Sequence, residues 1–165
     1  MKKIVLTLAV IMASVLSTNA QVWMGGSVEV LANKTTTFLE IAPEIGYAIP
    51  SSRWTIAAGL DMAFVGNNYT VMFEPYLRYN VCDIEKFSMF LDIVGDFSVG
   101  DFFSGFRVGV QPGVAWKATK HWTAAFRFAF LGYNNSDYYT NLGYIEGLNI
   151  KFATAANLFG LYYNF

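Results

Sequence analysis

The sequence predicts an all-β protein, an eight-stranded antiparallel up-and-down transmembrane β-barrel. Apolar residues alternate with small or polar ones in segment after segment, which is the period of half-exposed β-strands. Charged residues make up only 14% of the chain, whereas ordinary soluble domains contain about 25%. Short and long connections also alternate, as in barrels that cross a membrane. The 165 residues suffice for one domain.

The first 20 residues have the features of a signal peptide, and we assign residues 21–165 to the barrel domain. Lys2 and Lys3 precede an apolar run from Ile4 to Leu16, and the small residue Ala20 ends the segment. The apolar run is shorter than the ~20 residues that a membrane-spanning helix needs. We therefore expect export and cleavage after Ala20.

The segment from Arg53 to Phe64 shows the alternation most clearly. Every second residue from Trp54 onward is apolar, and the residues between them are small or polar. Five further segments repeat the pattern, at 39–49, 71–81, 87–93, 106–116 and 122–130. A first strand from about Val22 to Leu31 and a last strand ending at Phe165 bring the predicted number to eight. The alternation of the last strand is ambiguous before Phe159.

The apolar face of these strands is predicted to look outward. It carries the bulky side chains, among them Trp54, Trp116, Phe128 and Phe130. An eight-stranded barrel has an interior just wide enough for side chains to fill, so it cannot enclose them all. The opposite face, rich in glycine, alanine and a few charges, suits a crowded lumen. A soluble sandwich of two sheets, which could also bury such faces, is the alternative.

Three predicted hairpins contain a proline followed four residues later by an aromatic residue: Pro43 and Tyr47, Pro75 and Tyr79, Pro112 and Trp116. Another aromatic residue follows each turn. These residues predict an aromatic ring at one membrane interface. Because a proline inside a strand removes a hydrogen bond of the ladder, we expect a local bulge or distortion at each of the three.

The last eight residues, LFGLYYNF, carry the most specific motif of the chain. Gly160, Tyr163 and the terminal Phe165 resemble the signature by which the outer-membrane assembly machinery recognises its clients, whereas Leu158 departs from the usual polar start. With the proline-aromatic hairpins, residues 21–165 resemble the small eight-stranded OmpX/OmpA-type family of outer-membrane β-barrels.

The resemblance implies a protein of the outer membrane of a Gram-negative bacterium. Its expected partners are outer-membrane lipid and lipopolysaccharide, together with the barrel assembly machinery and periplasmic chaperones during biogenesis, and the barrel is expected to be monomeric. The net charge of −1 includes no basic block, so we expect no nucleic-acid partner. The implied function is non-enzymatic: a structural, adhesion or surface-defence role. The alternatives are a narrow porin-like channel for small solutes and a lipid-modifying enzyme.

The candidate residues form two groups. Charged residues on the predicted inner face are expected to make a structural ion-pair network in the lumen, since buried charges need partners; they are Glu40, Glu44, Asp61, Glu74, Arg78, Asp92, Arg107 and Arg127. The longest connection, Gly132 to Asn149, is a candidate surface contact loop because tyrosine makes adaptable contacts; its candidates are Tyr133, Asp137, Tyr138, Tyr139 and Tyr144.

No catalytic, cofactor or metal site is predicted. His121 is the only histidine and Cys82 the only cysteine, so a metal site built on several such ligands is excluded by count. His121 lies at a predicted tight turn beside Trp122, where an interfacial role is expected rather than a catalytic one.

Overall fold

The computed structural model describes residues 21–32, 37–65, 68–98, 104–141, 144–152 and 159–165. The expected signal peptide, residues 1–20, lies outside the described residues. Within those described ranges, no helix is both long enough and apolar enough to cross a membrane.

Strands account for almost all of the described chain. In chain order they are β1 (Val22–Ala32), β2 (Thr37–Ala48), β3 (Trp54–Val65), β4 (Asn68–Ile84), β5 (Phe87–Ser98), β6 (Gly105–Lys117), β7 (Trp122–Arg127), β8 (Ala129–Ser136), β9 (Gly147–Phe152) and β10 (Phe159–Asn164). A short helix, α1 (Asp137–Asn141), lies between β8 and β9. The longest connection is therefore shorter than expected, because β8 runs on to Ser136 and β9 begins at Gly147.

The strands close into a ring. Strands β1 to β6 pair antiparallel, each with the next. Strand β6 then pairs with both β7 and β8, which in turn pair with β10 and β9. Strand β1 pairs with β10 and closes the sheet. Strands β7 and β8 together occupy one position of the ring, beside β6, and β9 and β10 together occupy the next. The fold is therefore the predicted closed eight-stranded antiparallel barrel.

The two ends of the barrel differ. The turn end holds the tight reversals after β2, β4 and β6 and both ends of the barrel sequence, where the Phe165 N–H donates to the Val22 carbonyl at 3.1 Å. Ser51 and Glu85 adopt positive φ angles of 56° and 40° in two of these reversals. The loop end, opposite, holds α1.

The outer wall is apolar and exposed, as predicted. Ile56 and Leu60 of β3 are 53% and 49% exposed. The residues that follow each of them along the strand, Ala57 and Asp61, are buried in the lumen. Successive side chains of a strand point to opposite faces, so one alternation supplies both the apolar wall and the polar interior.

The prolines affect the sheet in two ways. At Pro43 and Pro75 the ladder on one side is interrupted while the pairs on either side keep one register, so the expected distortion is a gap in the ladder and not a bulge. The distortion expected at Pro112 lies on the neighbouring strand. Gly113 of β6 pairs with Arg127 and Val110 with Leu131, so residues 111 and 112 face residues 128–130. This is a β-bulge.

The bulge reverses the alternation beyond Arg127. Phe130, expected on the outer face, is instead fully buried in the lumen, and Leu131 faces outward at 50% exposure. One extra residue moves every later side chain to the other face. The alternation also shifts by one residue between β9 and β10. Asn149 of β9 and Gly160 of β10 both face inward, although one is odd-numbered and the other even.

We predict that Phe130→Ala destabilises the refolded barrel by about 3–5 kcal/mol, because it leaves a cavity inside a closed wall. Phe126→Ala is the matched control, since this ring lies on the outer face and is 38% exposed. Unfolding in urea, monitored by tryptophan fluorescence in detergent micelles, measures both. A larger loss for Phe126→Ala than for Phe130→Ala would contradict the inward position of Phe130.

Candidate functional site

The lumen gathers all eight of the predicted charged residues. Each is buried: Glu40, Glu44, Asp61, Glu74, Arg78, Asp92, Arg107 and Arg127. Together with Tyr76, Tyr162 and Asp96 they form two sets, one toward each end of the barrel. The turn-side network comprises Glu44, Tyr76, Arg78, Asp92, Arg127 and Tyr162, and the loop-side cluster comprises Glu40, Asp61, Glu74, Asp96 and Arg107.

Arg127 links two carboxylates of the turn-side network. Its Nη1 and Nη2 donate to the Glu44 carboxylate at 3.1 and 3.0 Å, and its Nε donates to Asp92 Oδ2 at 2.9 Å. Arg78 completes the chain with a two-point contact to Asp92, at 2.7 and 2.8 Å. The four charges balance and connect strands β2, β4, β5 and β7 across the interior.

Two tyrosines complete the hydrogen bonding of Glu44. The Tyr162 hydroxyl of β10 donates to Glu44 Oε1 at 3.0 Å, and the Tyr76 hydroxyl of β4 donates to Oε2. The Arg78 guanidinium lies 3.8 Å from the centre of the Phe90 ring. Charges taken out of water are stabilised only when such additional bonds satisfy their remaining donors and acceptors. Sequence reasoning missed these tyrosines, although the alternation in the fourth strand placed Tyr76 on the inner face.

The loop-side cluster is built around Arg107. Its Nε donates to Asp96, directly opposite on β5, and its Nη1 donates to the Tyr144 hydroxyl at 3.1 Å. The guanidinium carbon lies 3.7, 5.4 and 4.6 Å from the ring centres of Tyr139, Tyr144 and Phe130. Asp96 was missed because the alternation was traced only to residue 93; continuing it by period two would have placed Asp96 inward.

The contact-loop candidates do not all lie at the surface. Tyr139 and Tyr144 are buried over Arg107, which corrects their expected exposure. Tyr133 is 39% exposed on the outer wall and Asp137 is exposed in α1. The side chain of Tyr138 lies outside the described residues. Burial raises the pKa of the Tyr139 phenol well above its usual value, so this hydroxyl remains protonated.

Asparagine side chains hold this segment in place. The Asn134 amide, fully buried in β8, donates at 3.3 Å both to the Ile145 carbonyl and to Thr140 Oγ1. Asn149 of β9 accepts from the Ile145 N–H at 2.9 Å and donates to its carbonyl at 2.7 Å. The Tyr144 N–H donates to the Tyr139 carbonyl at 2.9 Å. These bonds fix the two aromatic rings over the mouth of the lumen.

The predicted assembly signature lies in β10 and just after it. A Cβ atom on Gly160 would come within 2.3 Å of the Tyr162 hydroxyl, so the glycine leaves room for the ring that reaches Glu44. Tyr163 faces outward, with its ring 5.2 Å from Trp122 and 5.1 Å from Phe165. His121 also stacks on Tyr163, at 5.4 Å, and its Nδ1 lies 2.9 Å from the Asn164 carbonyl oxygen.

The ion pairs of the lumen join Arg78 and Arg127 to Glu44 and Asp92, and Arg107 to Asp96. Among the described residues, no three His, Cys, Asp or Glu side chains come close enough together to hold a metal ion. The ion pairs tie strands of the ring together across the interior. Comparisons of the chain with protein-family models, with curated proteins and with solved structures find no match.

We predict that Arg127→Met destabilises the barrel by about 3–5 kcal/mol, because Glu44 is left buried without its cation. The double variant Arg127→Met with Glu44→Leu recovers most of this loss, since Arg78 still pairs with Asp92. Urea unfolding in micelles measures both variants.

The exposed pair of Lys117 and Asp83, at 2.9 Å, provides the control. Lys117→Met changes stability by no more than about 1 kcal/mol, because both side chains are roughly half exposed to water. Equal losses for Arg127→Met and Lys117→Met would show that the turn-side network contributes nothing specific.

Proposed function

We propose that this chain is an integral outer-membrane β-barrel of the small OmpX/OmpA-type, with a non-enzymatic structural, adhesion or surface-defence role. The observation that carries the proposal is the inverted distribution of polarity. Large apolar side chains such as Leu60, Phe73 and Ile93 are exposed around the wall, while the charges lie inside. In water such a wall would expose a continuous apolar surface, whereas in a membrane it contacts the hydrocarbon chains of the lipid.

The aromatic residues at the turn end support a membrane interface there. Trp54 and Tyr79 pair across β3 and β4, with ring centres 4.8 Å apart. Phe87 pairs with Trp116 across β5 and β6, and Trp122 with Tyr163 across β7 and β10. Amphipathic rings prefer the headgroup level of a bilayer. In this proposal the barrel contacts outer-membrane lipid and lipopolysaccharide, and the assembly machinery and periplasmic chaperones act on it during biogenesis.

The closed lumen supports a role outside the barrel rather than transport. The turn-side network crosses the interior between β2 and β5, and Tyr139 and Tyr144 cover Arg107 at the other end. Contacts with other molecules therefore fall to exposed residues at the loop end, such as Asp137 and Glu146. We propose a monomer acting at the cell surface.

We predict that Leu60→Arg lowers the free energy of unfolding in lipid vesicles by about 2–4 kcal/mol, because Leu60 lies midway along β3 in the apolar wall. Ile84→Arg is the control: Ile84 is exposed and ends β4 at the turn end. Its expected loss is at most about 1 kcal/mol, as for charges near an interface. A soluble barrel would tolerate both substitutions alike, and that result would contradict membrane insertion.

We also predict that the refolded protein gives no steady single-channel steps in a planar lipid bilayer, because the paired charges fill the lumen. Recording at several voltages and salt concentrations tests this. Steady steps that change in Glu74→Gln would favour the narrow channel over a closed barrel.

A further inference from the structure

The apolar outer wall carries a groove close to the turn end. Ile45 of β2, Ala58 of β3 and Pro75 of β4 form one row across three strands, because Ala58 pairs with both of the others. These three side chains are half-buried, whereas the neighbouring rows hold longer and exposed ones, such as Ile56 toward the turn end and Leu60 on the other side. The short side chains of Ala58 and Pro75 therefore leave a depression in the wall.

The groove has a volume of about 360 Å³. It extends from Pro75 across Ala58 to Ile45 and Tyr47, and among the described residues no charged side chain lines it. A narrow hydrocarbon chain that lies in such a depression gains packing contacts on several sides, where a flat wall offers one. The hydrocarbon chains of a bilayer are all apolar, however, so the groove by itself favours no particular lipid.

Polar groups stand at the turn end of the groove. Tyr47 and Trp54 are exposed there, and each ring carries a polar tip. Arg53, also exposed, precedes Trp54 and lies three residues beyond Ile56, or about 10 Å of extended strand. Its Nη1 donates to the Val81 carbonyl at 3.1 Å, and it makes no ion pair with any described residue. A cation without a carboxylate partner thus stands next to the apolar groove.

This combination fits a lipid better than a second copy of the chain. A symmetric dimer brings the same patch of both copies together, so groove would face groove and leave a void. A stable protein interface also covers about 800 Å² on each partner, whereas the groove is lined by a few side chains of β1 to β4. A phospholipid supplies both a narrow hydrocarbon chain and the phosphate that an arginine binds through two parallel hydrogen bonds.

We propose that the groove of Ile45, Ala58 and Pro75 binds one acyl chain of an anionic glycerophospholipid whose phosphate is bound by Arg53. The inference rests on the proposed membrane location and adds a specific lipid at one place on the wall. The groove positions the chain, and the contact with Arg53 selects the lipid. Because short turns of such barrels face the periplasm, the lipid belongs to the periplasmic leaflet.

The test uses phosphatidylglycerol as the probe and native mass spectrometry of the barrel refolded in uncharged detergent. One molecule of phosphatidylglycerol should bind at a saturable site, and phosphatidylcholine with the same chains should bind at least about tenfold more weakly, since its choline group competes for the phosphate. Equal binding of the two lipids, or no saturable site, would overturn the proposal. A dimer that forms without lipid and is lost in Ala58→Phe would assign the groove to a second copy instead.

Variants locate the site. Ala58→Phe fills the groove and Arg53→Gln removes the cation, and each should weaken phosphatidylglycerol binding at least about tenfold. Ala124→Phe is the control for the first, because Ala124 faces outward on β7, away from the groove. Lys86→Gln is the control for the second, because Lys86 is an exposed cation at another turn. Equal weakening by Lys86→Gln would show that only the net charge of the barrel matters.

Failure of this site and failure of the membrane location give different results. If Leu60→Arg lowers stability in vesicles while phosphatidylglycerol and phosphatidylcholine bind alike, only the lipid site is wrong. If the barrel tolerates Leu60→Arg and Ile84→Arg alike, the membrane location is wrong, and the lipid site with it.

Discussion

The contact of Arg127 with both Glu44 and Asp92 is the interaction on which the rest of the interior depends. A barrel this narrow must fill its lumen with side chains, and its inner face carries charged residues among apolar ones such as Phe90 and Val94. Arg127 satisfies two carboxylates from well-separated strands of the ring at once. Tyr76 and Tyr162 in turn bind Glu44, and Arg78 binds Asp92. The interior is cross-linked because these charges pair, and the wall is apolar because the charges lie inside.

The second determining feature is the bulge between β7 and β8. By adding one residue opposite Gln111 and Pro112, it turns Phe130 into the lumen beneath the loop end. Phe130 then packs edge-to-face on Tyr144, with ring centres 5.6 Å apart, and both contact Arg107. A proline on one strand thus reshapes its neighbour, and the result is an aromatic cover over the loop-side charges.

These two features divide the lumen into parts with different character. The turn-side network is neutral and fully cross-linked, as expected of a structural core. The loop-side cluster is built on the contact of Arg107 with Asp96, and the rings of Tyr139 and Tyr144 cover it.

The sequence by itself determined the strands, the direction of the apolar face and the burial of the eight predicted charges. Period-two alternation is local, and the bulk of residues such as Trp54 and Leu60 excludes them from a narrow lumen. Only the tertiary structure decided which charges pair, since Glu44 and Arg127 are distant in sequence. It also decided that Phe130, Tyr139 and Tyr144 turn inward. A bulge changes which residues of a strand face inward without changing its composition. Whether a tyrosine in a connection contacts water or a buried arginine depends on how that connection folds over the barrel.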